Sequence, residues 1–203
     1  MNILKYNKNL IKIKKCETMD EGNIEVVKIP RDRIGALVGK KGVIKNKIER
    51  ELGVKLEISE DGEVTIFSTE NTEDPLATWK GRDIVRAIGR GFSPEKALKL
   101  LSDDYVLEIV DISDYASTTN ALRRLKGRVI GSGGKSRRYI ENLTDTDVSV
   151  YGKTVAILGE YEPAQIAKEA VCMILRGTSH AKMYKYLESH RQDIKRKELE
   201  LWK

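Results

Sequence analysis

Cysteine is almost missing from this chain. Cys16 and Cys172 are the only two in 203 residues, too few for a disulfide framework and without the Cys-x-x-Cys or Cys/His spacing that zinc requires. Histidine is as scarce: His180 and His190 stand ten residues apart with no ligating neighbour, and structural roles are the simpler reading for both. No run of about 18 apolar residues occurs, which excludes a bilayer-spanning helix and with it a membrane partner. The start, Met1-Asn2-Ile3-Leu4-Lys5, lacks the apolar core and small-residue cleavage site of a secretory signal, so a cytoplasmic location is expected. Aromatics number only 12 (2 Trp, 8 Tyr, 2 Phe), little material for a surface that works by stacking successive bases on rings. Carboxylates clustered at metal-site spacing, a Cys/His pair and a serine elbow are all absent. No enzyme activity and no cofactor are therefore expected. The pair Asp103-Asp104 and the acids after it read more simply as an inter-domain surface or the start of a strand than as a nuclease site.

What the chain does have is charge, unevenly placed. The formal net charge is +6, which alone says little about a partner. From Leu101 to Leu122 there are five acids (Asp103, Asp104, Glu108, Asp111, Asp114) and no Lys or Arg. From Arg123 to Arg138 there are seven bases and no acid. An earlier block, Arg31 to Arg50, also carries seven bases against Asp32 and Glu49. Two basic blocks about 90 residues apart suggest two anion-binding surfaces rather than one.

The glycines bind these blocks into a repeat. Leu37-Val38-Gly39-Lys40-Lys41-Gly42 and Val129-Ile130-Gly131-Ser132-Gly133-Gly134 share the frame apolar-apolar-Gly-x-x-Gly at an offset of 92. The same offset carries Gly35 to Gly127, Ile48 to Ile140, Glu49 to Glu141 and Leu56-Glu57-Ile58 to Val148-Ser149-Val150. One Gly-x-x-Gly is weak evidence; a whole frame reproduced twice is strong.

Each copy reads as an α+β unit. In the first, the β-branched run Ile24 to Ile29 predicts a strand, Arg31 to Leu37 a short helix, and Gly39 to Gly42 a tight turn. Ile44, Ile48 and Leu52 then predict an amphipathic helix that ends at Gly53, and two further strands follow at Leu56 to Ile58 and Val64 to Phe67. A longer helix opens at Pro75 and runs through Ile88, with Leu76, Trp79, Ile84 and Ile88 as its apolar stripe. The order is β-α-α-β-β-α. The second copy repeats it from Tyr105 to Leu175, with an extra stretch of about nine residues, Ser113 to Ala121, before its basic helix. A short helix, Lys96 to Leu101, links the copies. A final helix, Ser179 to Leu201, carries Met183, Leu187 and Ile194 on one side.

A Gly-x-x-Gly turn between two helices lets a phosphodiester chain lie against bare backbone. The free N–H groups and positive dipole end of the second helix face those phosphates. The candidate contacts in the first copy are Gly39, Lys40, Lys41, Gly42 and Lys45. In the second they are Arg128, Gly131, Ser132, Gly133, Gly134, Lys135, Arg137 and Arg138, with Lys153 on the strand-to-strand turn. Such a site takes about four nucleotides of a single strand, with an aliphatic groove for the bases. Two similar motifs fail. Gly131 to Ser136 lacks the first glycine of a P-loop, where Val129 stands, and Ser136 occupies the last glycine position of the dinucleotide pattern. Cys172 reads as a small buried hydrophobe.

The order β-α-α-β-β-α with Gly-x-x-Gly after the first helix resembles the type I KH domain, present twice in tandem. Three further stretches narrow the resemblance: Ala87 to Leu98 around Gly89-Arg90-Gly91-Phe92-Ser93-Pro94; Leu125 to Arg138 with Ile140 to Thr144 and Val148 to Ala156; and Gly177-Thr178-Ser179-His180 with Met183 to Glu188. They resemble the archaeal two-KH proteins related to the partner-of-Nob (Dim-type) and Krr-type ribosome assembly factors. The resemblance implies residues 21–92 as a first KH domain, 93–103 as a linker helix, and 104–203 as a second KH domain with a C-terminal helical extension. It also implies a non-catalytic single-stranded RNA-binding protein acting near the 3′ region of small-subunit (16S) ribosomal RNA during processing and assembly. An rRNA-processing endonuclease and translation initiation factor two alpha are the implied protein partners. The alternative is an adaptor that docks one of these proteins through a KH copy or the last helix, with RNA binding secondary. Residues 1–20 read as a basic N-terminal tail, with order or disorder left open; the first 18 hold five Lys against Glu17, and Met19 is an alternative start.

Overall fold

The computed structural model describes residues 24–201, with side chains as far as Arg191. The tail expected over residues 1–20 lies outside the described residues. The first unit runs β1 (Ile24–Lys28), α1 (Arg31–Val38), α2 (Val43–Leu52), β2 (Val54–Ile58), β3 (Glu63–Ser68), α3 (Ala77–Gly89). A short helix α4 (Pro94–Ala97), prolonged as a 3-10 turn over Leu98–Leu101, leads into the second: β4 (Tyr105–Asp111), α5 (Thr119–Ile130), α6 (Lys135–Thr144), β5 (Asp147–Tyr151), β6 (Thr154–Glu160), α7 (Tyr161–Leu175). Helix α8 (His180–Leu201) closes the chain. Each unit holds a three-stranded antiparallel sheet, in the orders β1-β3-β2 and β4-β6-β5. The expected α+β architecture is present in both copies.

In the first unit, alternation decides which face is buried. Val27 and Ile29, Val54 and Leu56, Val64 and Ile66 point inward onto Leu37, Ile48, Leu52, Ile84 and Ile88 from the three helices. Each such side chain contributes roughly 1.5–3 kcal/mol by leaving water. The helix expected from Pro75 starts two residues later, because the Asp74 carboxylate accepts the Leu76 N–H at 2.8 Å and holds a turn there. Its expected stripe is also corrected. Leu76 and Trp79 are 45% and 49% exposed, and the buried face is Ala77, Gly81, Ile84, Val85 and Ile88. Small residues let α3 lie close to the sheet: a Cβ on Gly81 would sit 3.4 Å from Ile66.

Strand β6 shows how the units join. Thr154 to Gly159 are all buried. Val155 and Ile157 face the second core, whereas Ala156 and Leu158 face the first. The outer face of the second sheet is thus packed onto the first unit, with Tyr105, Leu107 and Ile109 of β4 beside it. Polar contacts pin the joint. Ser149 Oγ donates to the Arg90 carbonyl at 2.8 Å, and the Tyr151 hydroxyl donates to Asp32. Lys96 and Lys99 reach the Asp147 carboxylate at 2.7 and 2.9 Å. Burial pushes the Asp147 carboxyl up, but the two ammonium groups outweigh it and hold it below the ordinary 3.8. Gly91 sits at φ +98° where a Cβ would fall 2.7 Å from Ser149 Oγ.

Met183 and Leu187 of α8 are fully buried against the second core. The stripe that suggests a docking helix therefore packs on its own domain as far as Leu187, and Ile194 lies outside the described side chains. His180 serves this packing, its Nε2 2.9 Å from the Arg128 carbonyl of α5, whereas His190 Nδ1 lies 2.9 Å from the Tyr186 carbonyl within α8 itself.

Candidate nucleic-acid interface

The two Gly-x-x-Gly turns have the same backbone. Gly39 (φ 71, ψ 177) matches Gly131 (φ 74, ψ 173), Lys41 (φ 54, ψ 27) matches Gly133 (φ 57, ψ 23), and Gly42 (φ 80, ψ 9) matches Gly134 (φ 77, ψ 14). The outer glycines are needed for different reasons. A Cβ at Gly39 would lie 2.6 Å from Ile44 Cγ1, and one at Gly131 would lie 2.7 Å from Ser136 Cβ, so the first glycine lets the loop press on the next helix. Around Gly133 and Gly134 nothing lies within 4 Å; there the left-handed backbone alone asks for glycine. The loop crest is open space, which is what a sugar-phosphate chain would occupy.

Behind each crest a helix begins uncapped. Neither α2 nor α6 has a side-chain cap or an acid in its first turn, so the orphan N–H groups and positive dipole end stay available to an anion. Each helix is ten residues long. Cations surround the crests. Lys40, Lys41, Lys135 and Arg138 are exposed, and the first three make no ion pair among the described residues. Arg138 Nη2 donates to the Gly133 carbonyl at 2.7 Å, which braces the second loop. Lys45 and Arg137 each stand 3.7 Å from the glutamate one turn on, Glu49 and Glu141. Lys153 is exposed on the β5–β6 turn. Arg128 is placed differently: its guanidinium donates to the Thr178 carbonyl at 2.7 Å and ties α5 to the start of α8.

Two residues of this site escape a motif search. Glu49 Oε1 accepts the Leu56 N–H at 2.8 Å, and Glu141 Oε1 accepts the Val148 N–H at 3.0 Å. In each copy the helix behind the loop is thereby stitched to the free edge of β2 or β5, which sets the distance between clamp and strand. Their recurrence at the repeat offset is the signal that marks them. In the first copy Arg33 adds a second anchor, its Nε and Nη2 donating to the carbonyls of Ile88 at 2.8 Å and Phe92 at 2.6 Å. That fixes α1 against the C-terminal end of α3. Among the described residues, no group of three or more His, Cys, Asp or Glu could hold a metal, and no helix is long and apolar enough to cross a membrane.

Two copies of a β-α-α-β-β-α unit, each with an open Gly-x-x-Gly crest before an uncapped helix, define a tandem type I KH protein. The family models agree: "KH domain" matches residues 24–75, and "Eukaryotic type KH-domain (KH-domain type I)" matches residues 106–192. The chain is 70% identical over 181 residues, 89% of its length and 80% of the relative's, to the KH domain-containing protein MJ0443 of Methanocaldococcus jannaschii. It is 30% identical over 176 residues, 85% of this chain and 74% of the other, to the RNA-binding protein pno1 of Dictyostelium discoideum. Among solved structures it matches a chain of the a/eIF2alpha-aDim2p-rRNA complex from Pyrococcus horikoshii OT3, with TM-score 0.80, 49% identity, and 85% and 96% of the two chains covered. The chain belongs to the PNO1/Dim2 family of KH-domain RNA-binding proteins.

Proposed function

We propose that this protein is a non-catalytic, cytoplasmic factor that holds the single-stranded 3′ region of small-subunit (16S) ribosomal RNA during processing and assembly. The observation that carries this is the pair of superimposable loops whose open crests sit over uncapped helix N-termini among exposed lysines. Phosphates on both crests would meet backbone N–H groups, a dipole and cations, with no acid in the first helical turn. The matched Pyrococcus complex contains rRNA, which supports the substrate class. It also contains a/eIF2alpha, which supports translation initiation factor two alpha as a partner. A processing endonuclease is the second partner that the family resemblance implies. The proposed contacts are Gly39, Lys40, Lys41, Gly42 and Lys45 in the first copy. In the second they are Gly131, Ser132, Gly133, Gly134, Lys135, Arg137, Arg138 and Lys153, with Arg128 supporting from behind.

Ser132→Asp with Gly133→Asp tests the second clamp. Both positions are exposed, nothing crowds Gly133, and Asp tolerates a left-handed backbone. Affinity for an oligomer from the rRNA 3′ end should fall more than about tenfold, some 1.4 kcal/mol, while the protein stays folded, the left-handed strain at position 133 costing at most roughly 1–2 kcal/mol of stability. Unchanged affinity would remove the second clamp from the site.

A further inference from the structure

The two copies differ most at the edge that faces away from the clamps. In the first copy, among the described residues, β1 pairs only with β3. Its ladder fixes which backbone groups are free. The Ile29 N–H donates to the Gly62 carbonyl at 2.8 Å, and the paired positions above it are Val27↔Val64 and Glu25↔Ile66. Antiparallel bonding alternates every second residue. Glu25 and Val27 therefore turn their N–H and C=O groups to β3, and Val26 and Lys28 turn theirs outward. Helix α3 runs beside this edge in the same direction: Arg82 Nη1 meets Glu25 Oε2 at 3.6 Å, and Gly89 abuts Ile29. Between helix and edge lies a groove of about 280 Å3 lined by Val26, Lys28, Pro30, Arg82, Arg86 and Arg90.

The second copy is an internal control. There the Ile112 N–H donates to Lys153 O at 2.8 Å, as Ile29 does to Gly62. Lys168 meets Glu108 at 2.9 Å, as Arg82 meets Glu25. One helical turn after Lys168 comes Cys172, where the first copy has Arg86. The inserted stretch covers it: the Tyr115 hydroxyl lies 3.7 Å from Cys172 Sγ, and Tyr115 and Ala116 pack on the second core. The groove is filled by the chain's own insertion in one copy. In the other it is left open and lined with arginine.

We propose that the β1 edge and the Arg82-Arg86-Arg90 stripe dock an extended acidic peptide segment of a partner protein as an added strand. The spacing fits. Arginines four residues apart along a helix stand about 6 Å apart, and carboxylates at alternate positions of a strand stand about 6.8 Å apart. Outward backbone groups on Val26 and Lys28 supply the ladder, and exposed Ile24 and Val26 (60% and 57%) meet apolar side chains on the other face. A nucleic-acid strand fits less well. Its phosphates only accept, and its donors are confined to 2′-hydroxyls and base edges, so it cannot answer the alternating N–H and C=O groups of the edge as a second strand does. The chain's own first 18 residues carry five Lys and repel it.

The test is fluorescence anisotropy on the whole protein with a labelled peptide of about nine residues alternating Val and Glu, long enough to span the edge. Saturable binding below about 1 mM is expected. R86E/R90E, at side chains outside the clamps, should weaken it at least about tenfold while leaving affinity for an rRNA oligomer unchanged. V26P should do the same, because proline is tolerated on an edge strand where its nitrogen faces outward. The proposal is overturned by any of three results: no saturation, peptide affinity indifferent to R86E/R90E, or loss of RNA binding in place of peptide binding in that variant. The last would make the stripe an RNA surface.

Discussion

Lys41 offers a sharp test of whether the first clamp carries RNA. It is one of two described non-glycine residues at positive φ, at +54°, and its counterpart Gly133 takes the same backbone at +57°. A left-handed conformation costs a side-chain-bearing residue roughly 1–2 kcal/mol. Glycine recovers this, less the roughly 0.4–1 kcal/mol that it adds to the freedom of the unfolded chain. Lys41→Gly should therefore stabilise the protein by about 0.5–1 kcal/mol, or about 1–4 °C in melting temperature for a chain of this size. If the ammonium group touches a phosphate, the same change lowers RNA affinity and flattens the log–log salt slope by about 0.7 for a single strand. Over a tenfold rise in salt that slope is worth about fivefold in affinity. Gly133→Lys should move all three quantities the opposite way. The assays are denaturation and anisotropy titration of an rRNA oligomer across a salt series. A Lys41→Gly protein that is more stable and binds RNA with unchanged affinity and slope would refute a phosphate contact at this crest. A protein that is not stabilised would refute the strain argument separately.

Three further outcomes follow from the geometry. Arg33→Ala removes two charge-assisted bonds to the end of α3 and should cost about 2–3 kcal/mol, read by urea denaturation. Glu141→Ala frees the Val148 N–H from its 3.0 Å acceptor. It should lower stability by about 1 kcal/mol and raise hydrogen exchange at Val148 before that of the β6 ladder. The joint at Asp147 sets an acid limit. Its folded-state pKa is depressed, so its stabilisation is present above the unfolded value of about 3.9 and is lost as pH falls through the lower folded value. Lys99 is raised above 10.5, so its share is present below that value and lost as pH rises through the higher folded one. Stability read by urea denaturation across a pH series should therefore be highest between those limits, and Asp147→Asn should flatten both flanks.

Much of this is legible in residues alone, and the exceptions are physical. Turns advertise themselves because only glycine is at ease with positive φ, so Gly39, Gly42, Gly131 and Gly134 mark both loops. Lys41 hides the same conformation behind a side chain, and only alignment with Gly133 exposes it. On α3 the large residues Leu76 and Trp79 dominate the apolar pattern over Ala77 and Gly81, although close approach to Ile66 selects the small ones. Arg128 sits in the basic block by sequence, yet a bond to Thr178 O, fifty residues on, decides where it points. The inter-domain joint leaves one readable trace. Val155-Ala156-Ile157-Leu158 is an unbroken apolar run, the pattern of a strand buried on both faces, whereas β2 alternates as Val54-Lys55-Leu56-Glu57-Ile58.

That joint bears on how two modest clamps become one binding protein. A single loop that holds about four nucleotides gains little affinity from a few phosphate contacts at physiological salt. A strand reaching both clamps gains more only if the second is already at hand when the first is filled, and the gain falls as the link between them lengthens and loosens. Here the link is short and packed. The Phe92 side chain and the Leu98–Leu101 turn belong to the first core, β6 is shared between the cores, and Asp147 grips Lys96 and Lys99 across the boundary. The joint also consumes the outer face of the second sheet rather than either helical crest. Both crests thus stay open while their separation is fixed. If both clamps hold RNA as proposed, that fixed separation would favour one long single strand, where a flexible tandem would accept any two short ones.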